Sequence, residues 1–91
     1  MERKEVYKLI DGERNYQETL WSVIGETGNI PSAHSFAEWL VFIEDYVNEA
    51  KHLLTRESFV SANPKVGDIM RKVAALAVAA LEEHGAEARA R

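Results

Sequence analysis

Residues 13–21, ERNYQETLW, bring a carboxylate, a guanidinium, an amide and two large aromatic rings into one short stretch. Glu13 and Gln17 stand four residues apart, so on a helix they share one face. The rest of that face is apolar, with Val6, Ile10, Leu20 and Ile24 on the same stripe. A carboxylate buried there without a partner costs several kcal/mol. It needs an arginine, a metal ion or a ligand, and Arg71 or Lys72 is available as a structural counter-ion. Arg14, Tyr16 and Trp21 are of the kinds that clamp a phosphate and stack on a base.

Two further groups are candidates for chemistry. Glu38, Asp45 and Glu49 fall close together around a helix axis, with His52 near them. Carboxylates so arranged either form a solvated polar face or hold Mg²⁺, which prefers oxygen ligands and keeps several waters. His34 precedes a helix start, and His84 lies at a helix C-terminus, where the dipole favours a protonated imidazole. For His84 a terminal cap fits better than a catalytic base. The sequence contains no Ser-His-Asp arrangement, glycine-rich phosphate loop or zinc-ligand spacing.

The elements that must position these residues are three helices, over about 3–24, 35–56 and 64–84, with no strands. The fold class is all-α: a three-helix domain with a long antiparallel hairpin, assembling as an oligomeric bundle. Asp11-Gly12 interrupts the first helix, since glycine costs about 1 kcal/mol relative to alanine there. A kink, or a separate short helix over the first ten residues, is expected. Ser35 and Glu38 have the spacing of a capping box. Asn63 suits an N-cap and Pro64 the first helical position, and Gly85 suits the residue after the last turn. The stretches 25–34 and 57–63 are connections, and 86–91 is a flexible tail.

On the second helix, Phe36, Leu40, Ile43, Val47, Ala50 and Leu54 make the main apolar stripe, and Trp39, Phe42, Tyr46 and Leu53 a second one beside it. Together they span about 160°, wide for one face of a small domain. Either the core is large with aromatics at its margin, or part of the arc is a subunit interface; the short chain favours an oligomer, a dimer or tetramer. On the third helix the main stripe is Val66, Ile69, Val73, Leu76, Ala77, Ala80 and Leu81. Its opposite side carries Asp68, Arg71, Lys72, Ala75, Ala79, Glu82 and Glu83. The alanines there serve either helix propensity or the close approach of another helix or a ligand.

Bulk properties bound the function. The chain has 91 residues, enough for one domain over 1–91, and no cysteine, which excludes disulfides and thiolate sites. A formal charge of −4 argues against broad binding to duplex nucleic acid. It leaves room for a small anionic ligand, for which two or three basic groups suffice. The charged N-terminus is followed by no apolar stretch of signal-peptide type, and no apolar run is long enough to span a membrane. A cytoplasmic protein is expected.

Three stretches together, ERNYQETLW (13–21), HSFAEWLVFIEDYVNEA (34–50) and MRKVAALAVAALEEHG (70–85), resemble small phage and prophage proteins described as MazG-like, related to dATP/dGTP diphosphohydrolases. That resemblance implies the all-α nucleotide pyrophosphohydrolase group: an oligomeric helical bundle that cleaves a nucleoside triphosphate to the monophosphate and pyrophosphate with Mg²⁺. The group's metal motif is E-x-x-E on one helix and E-x-x-D on the next. Here Glu38 is followed three residues on by Val41, Asp45 and Glu49 are spaced by four, and Arg71 stands three residues after Asp68. Two readings follow. In one, Glu13, Glu38 and Asp45, with Glu49 nearby, hold Mg²⁺ in a rearranged pyrophosphohydrolase site. In the other, preferred because the motif is broken, the pocket binds nucleotide without cleaving it. Arg14, Arg71 and Lys72 then hold phosphates, Tyr16, Trp21 and Trp39 stack on bases, Gln17 reads an edge, and His34 adjoins the site. Such a phage protein would sequester a linear or cyclic nucleotide signal of host defence in the host cytoplasm. A helical interaction module with no small ligand is the third alternative.

Overall fold

The computed structural model describes residues 1–26, 34–57 and 64–90, with side chains at all of these except 22–26 and 56–57. The expected connections fall largely outside the described residues, as do the Asn63 cap and the Ile24 side chain. α1 spans Arg3–Glu26, α2 Phe36–Glu57 and α3 Pro64–His84. There is no strand among the described residues.

Local signals set the ends. The Ser35 hydroxyl accepts the Glu38 amide at 3.1 Å, and the Glu38 carboxylate accepts the Ser35 amide at 2.9 Å. This is a reciprocal capping box, satisfying two amides that the first turn of α2 leaves without helical partners. At the other end of the chain, Gly85 adopts φ +73° and its amide donates to the Leu81 carbonyl at 2.7 Å. A side chain is strained in that left-handed conformation, so glycine stops α3 cleanly.

α3 is the shared element. Both α1 and α2 pack against it, and among the described residues α1 and α2 do not pack backbone to backbone. Trp39 and Ala50 of α2, with Ile69, Ala75, Leu76, Ala79 and Ala80 of α3, form the buried apolar set. Trp21 of α1 joins it from outside, packing on the cluster of Trp39, Leu76, Ala79 and Ala80 together with Ile43 and Tyr46. Burying a side chain as large as Trp39, which is 3% exposed, removes about 150–250 Å² from water.

Two expectations change, and a choice left open on α3 is settled. α1 is continuous through Asp11-Gly12, with neither a break nor a second helix. Residues on both sides of Gly12 lean on α3, which outweighs one unfavourable propensity. On α2 the interior takes in members of both stripes: Trp39 of the second and Ala50 of the main one are buried and Ile43 packs on the core, while Phe36 and Leu40, at 63%, and Phe42 are exposed. On α3, Ala75 and Ala79 are buried, because α1 approaches over the side that carries them. No helix among the described residues is long and apolar enough to cross a membrane.

Gly12 is exposed, and a Cβ added to it meets nothing within 4 Å. Gly12→Ala is therefore expected to raise stability by about 1 kcal/mol, read as a shifted midpoint in urea denaturation. A loss of stability would mean that α1 bends at this position in solution.

Candidate functional site

The polar residues of α1 are held by α3. Arg71 Nε donates to Glu13 Oε1 at 2.7 Å, and Arg71 Nη1 to Asp68 at 3.0 Å. The Glu13 side chain is only 11% exposed, so this arginine is what makes its burial tolerable. The pair in turn raises the Arg71 pKa, chiefly through the hydrogen bond to Glu13. One residue on, the Arg14 guanidinium bonds to Glu82 and lies 5.6 Å from the centre of the Trp21 ring. Gln17 is 7% exposed and its Oε1 has no hydrogen-bond partner, as is also true of Arg14 Nη1. Sequence reasoning put Glu13 and Gln17 on the inward face, and both lie there.

A second polar knot ties α2 to the end of α3. The Glu83 carboxylate accepts the His34 amide at 2.9 and 3.1 Å and the Trp39 indole N–H at 3.0 Å. His84 Nε2 lies 3.1 Å from the same carboxylate and 2.7 Å from the His34 carbonyl. A carbonyl only accepts, so this contact requires Nε2 to carry hydrogen. The His84 ring also rests against Phe36, 4.4 Å between centres. These donors hold the Glu83 carboxyl below its usual range, the His34 amide first and the Trp39 indole second. Glu38 is held low as well, mainly by the Ser35 amide.

Beside this knot is a cavity of about 350 Å³, lined by Trp21, His34, Phe42, Asp45, Tyr46, Glu49 and Leu76. That is the low end of the volume of small-molecule sites, about 300–1,000 Å³. Its walls belong to one aromatic cluster. Trp21 meets Trp39 at 5.7 Å, and the His34 ring stands edge-on to both Trp39, at 4.9 Å, and Phe42, at 5.1 Å. His34 Nδ1 is buried without a hydrogen-bond partner and lies 3.7 Å from the Glu38 carboxylate. Lys72 Nζ sits 5.6 Å from the Tyr46 ring centre. A second cleft, about 450 Å³, runs between the first halves of α1 and α3 and is mainly apolar, with Asp68 and Arg71 at its edge.

The residues singled out from sequence divide accordingly. Trp21 and His34 line the first cavity, Trp39 backs it, and Arg14 and Lys72 lie against two of its rings. Glu13 and Arg71 form their own ion pair at the second cleft's side of α1, and Tyr16 is exposed and lines neither cavity. Phe42 and Tyr46, read from sequence as interior or marginal aromatics, are wall residues. Their spacing of four, shared with Asp45 and Glu49 at the neighbouring angle, is the signal that places all four together.

Of the four carboxylates read for Mg²⁺, Glu13 is paired with Arg71 and Glu38 is bound into its capping box, while Asp45 and Glu49 face the cavity. Among the described residues no group of three or more histidine, aspartate or glutamate side chains is placed to hold a metal ion.

Replacing Arg71 with methionine leaves Glu13 buried and unpaired. Stability is expected to fall by about 1–3 kcal/mol, and Glu13→Gln in the same chain to recover part of the loss; additive losses in the double-mutant cycle would break the pair. The Glu83 and Glu38 carboxyls make a second expectation. A carboxyl with a depressed folded pKa stabilises the fold above its unfolded value, and this contribution is lost as pH falls through the folded value. The urea midpoint should thus drop as pH falls below the ordinary value of 4.5, and Glu83→Gln should flatten that slope. An unchanged slope would mean that the knot is open in solution.

The chain matches no protein-family model, no curated protein and no solved structure; the side chains described above are what its function must be read from.

Proposed function

We propose that this chain is a nucleotide-binding helical protein that holds its ligand without cleaving it. The observation that carries this reading is the cavity walled by the rings of Trp21, Phe42 and Tyr46. Stacking on such rings contributes about 1–3 kcal/mol per base and tolerates any base. Lys72 and Arg14, lying against Tyr46 and Trp21, supply the positive charge that a phosphate needs. Arg14 and Arg71 are the weaker phosphate candidates, Arg14 being engaged by Glu82 and Arg71 by Glu13 and Asp68.

Retention without hydrolysis is supported by the carboxylates. Metal-assisted cleavage needs several of them around the ion, and Glu38, the match to the motif's first glutamate, is occupied by Ser35. On the likeness to MazG-like phage proteins, the ligand is a linear or cyclic nucleotide signal of host defence, sequestered in the host cytoplasm. The proposal includes assembly. Contacts of His34 and Phe36 with Glu83 and His84 fit an antiparallel α2–α3 hairpin. The exposed Phe36 and Leu40 offer an apolar side for a second copy.

Calorimetry with a panel of linear and cyclic nucleotides tests the reading, with the ligand recovered intact by heating and identified by chromatography. Binding is expected, and Trp21→Ala should weaken it roughly 5- to 150-fold, the equivalent of one lost stack. Absence of binding at millimolar nucleotide, or release of pyrophosphate in Mg²⁺, would overturn it.

A further inference from the structure

The polar wall of the cavity is acidic. Asp45 and Glu49 are one helical turn apart on α2, both line the cavity, and both are otherwise exposed. Among the described residues neither is engaged by a hydrogen bond or an ion pair, whereas Glu13, Glu38, Glu82 and Glu83 all are. An ionised carboxylate only accepts hydrogen bonds. The two therefore present a row of acceptors, about 6 Å apart along the helix, beside rings suited to stacking.

We infer that Asp45 and Glu49 select the base, and that the base they select is guanine. The inference rests on the nucleotide reading above and adds to it the identity of the base. Of the common bases, guanine alone carries two adjacent donors on its Watson–Crick edge, the ring N1–H and the exocyclic amino group. One carboxylate takes both, forming a paired charge-assisted contact, the stronger class of hydrogen bond. Adenine and cytosine offer an amino group beside a bare ring nitrogen, whose lone pair faces the second carboxylate oxygen. Uracil offers one N–H between two carbonyls. Each of these sets acceptor against acceptor, which a site with unpaired polar groups rejects. The same carboxylates repel phosphate, so the base enters the acidic side and the phosphates lie toward Lys72, whose ammonium rests on the Tyr46 ring.

The experiment is calorimetric titration of the full chain with GMP, IMP, AMP, CMP and UMP. GMP is expected to bind at least roughly tenfold more tightly than AMP, CMP or UMP. IMP, which keeps N1–H but lacks the amino group, should fall between. Asp45→Asn/Glu49→Gln replaces two exposed side chains, and far-UV circular dichroism checks that the fold is unchanged. In that variant GMP should weaken while AMP holds or tightens, so the preference disappears. Equal or tighter binding of AMP by the unmodified chain overturns the base selection and leaves the nucleotide reading standing, as does a GMP-to-AMP ratio unmoved by the double substitution. Failure of all five nucleotides to bind at millimolar concentration overturns both.

Discussion

The structure depends on α3 having two buried sides. A helix in a small domain normally buries one stripe and turns the other to water. Here α1 and α2 both lie on α3, so the helix needs a second side smooth enough for a neighbour. Ala75 and Ala79 supply it. With no side chain beyond Cβ, they let α1 come close without the off-rotamer strain, about 1–3 kcal/mol, that larger residues in a filled space impose. Leu76 and Ala80, with Ala79 in the same cluster, receive Trp39 of α2. The two outer helices then meet through rings rather than backbones, Trp21 against Trp39.

An alanine surface is smooth but weakly specifying, and the polar pairs supply orientation. Glu13 with Arg71 and Arg14 with Glu82 fasten α1 at two levels of α3, on either side of the alanines. Glu83 fastens α2 through an amide and an indole, both of which point to it in only one register. Such contacts add little net stability once desolvation is counted, but breaking one partner leaves a charge without compensation. They penalise slippage more than they reward the native arrangement. The same logic accounts for the polar fault in the α1 stripe: Glu13 is where a guanidinium from α3 arrives.

The sequence carried the helices well, because their signals are local. Pro64, the Ser35–Glu38 box and Gly85 act within one turn and need no knowledge of the fold. A separate short helix before Asp11-Gly12 does not form, because propensity is a small term that packing on α3 overrides. The two α2 stripes are adjacent and equally apolar, so periodicity alone does not say which one faces α3. The indole N–H decides it: Trp39 can be buried because Glu83 waits at its polar edge, and Phe36 and Leu40 are then turned aside. Half of the candidate site was legible for the same reason. Trp21 and His34 were picked out by residue type, but Phe42 and Tyr46 are wall residues only because of where α2 rolls on α3.

That roll also decides what Asp45 and Glu49 are for. With Trp39 turned inward, Asp45 and Glu49 lie at the edge of the aromatic cavity, while Glu38 is held in its capping box. The cations end elsewhere: Arg71 on Glu13, Arg14 on Glu82, Lys72 on Tyr46. Among the described residues the cavity is thus acidic on its α2 wall, with Lys72 and Arg14 lying against its rings. The nucleotide proposed above suits that arrangement, being flat, with donors on one edge of its base and its negative charge at the other end. A nucleotide with a donor-rich base has that polarity, and a bare phosphate or an acyl chain does not.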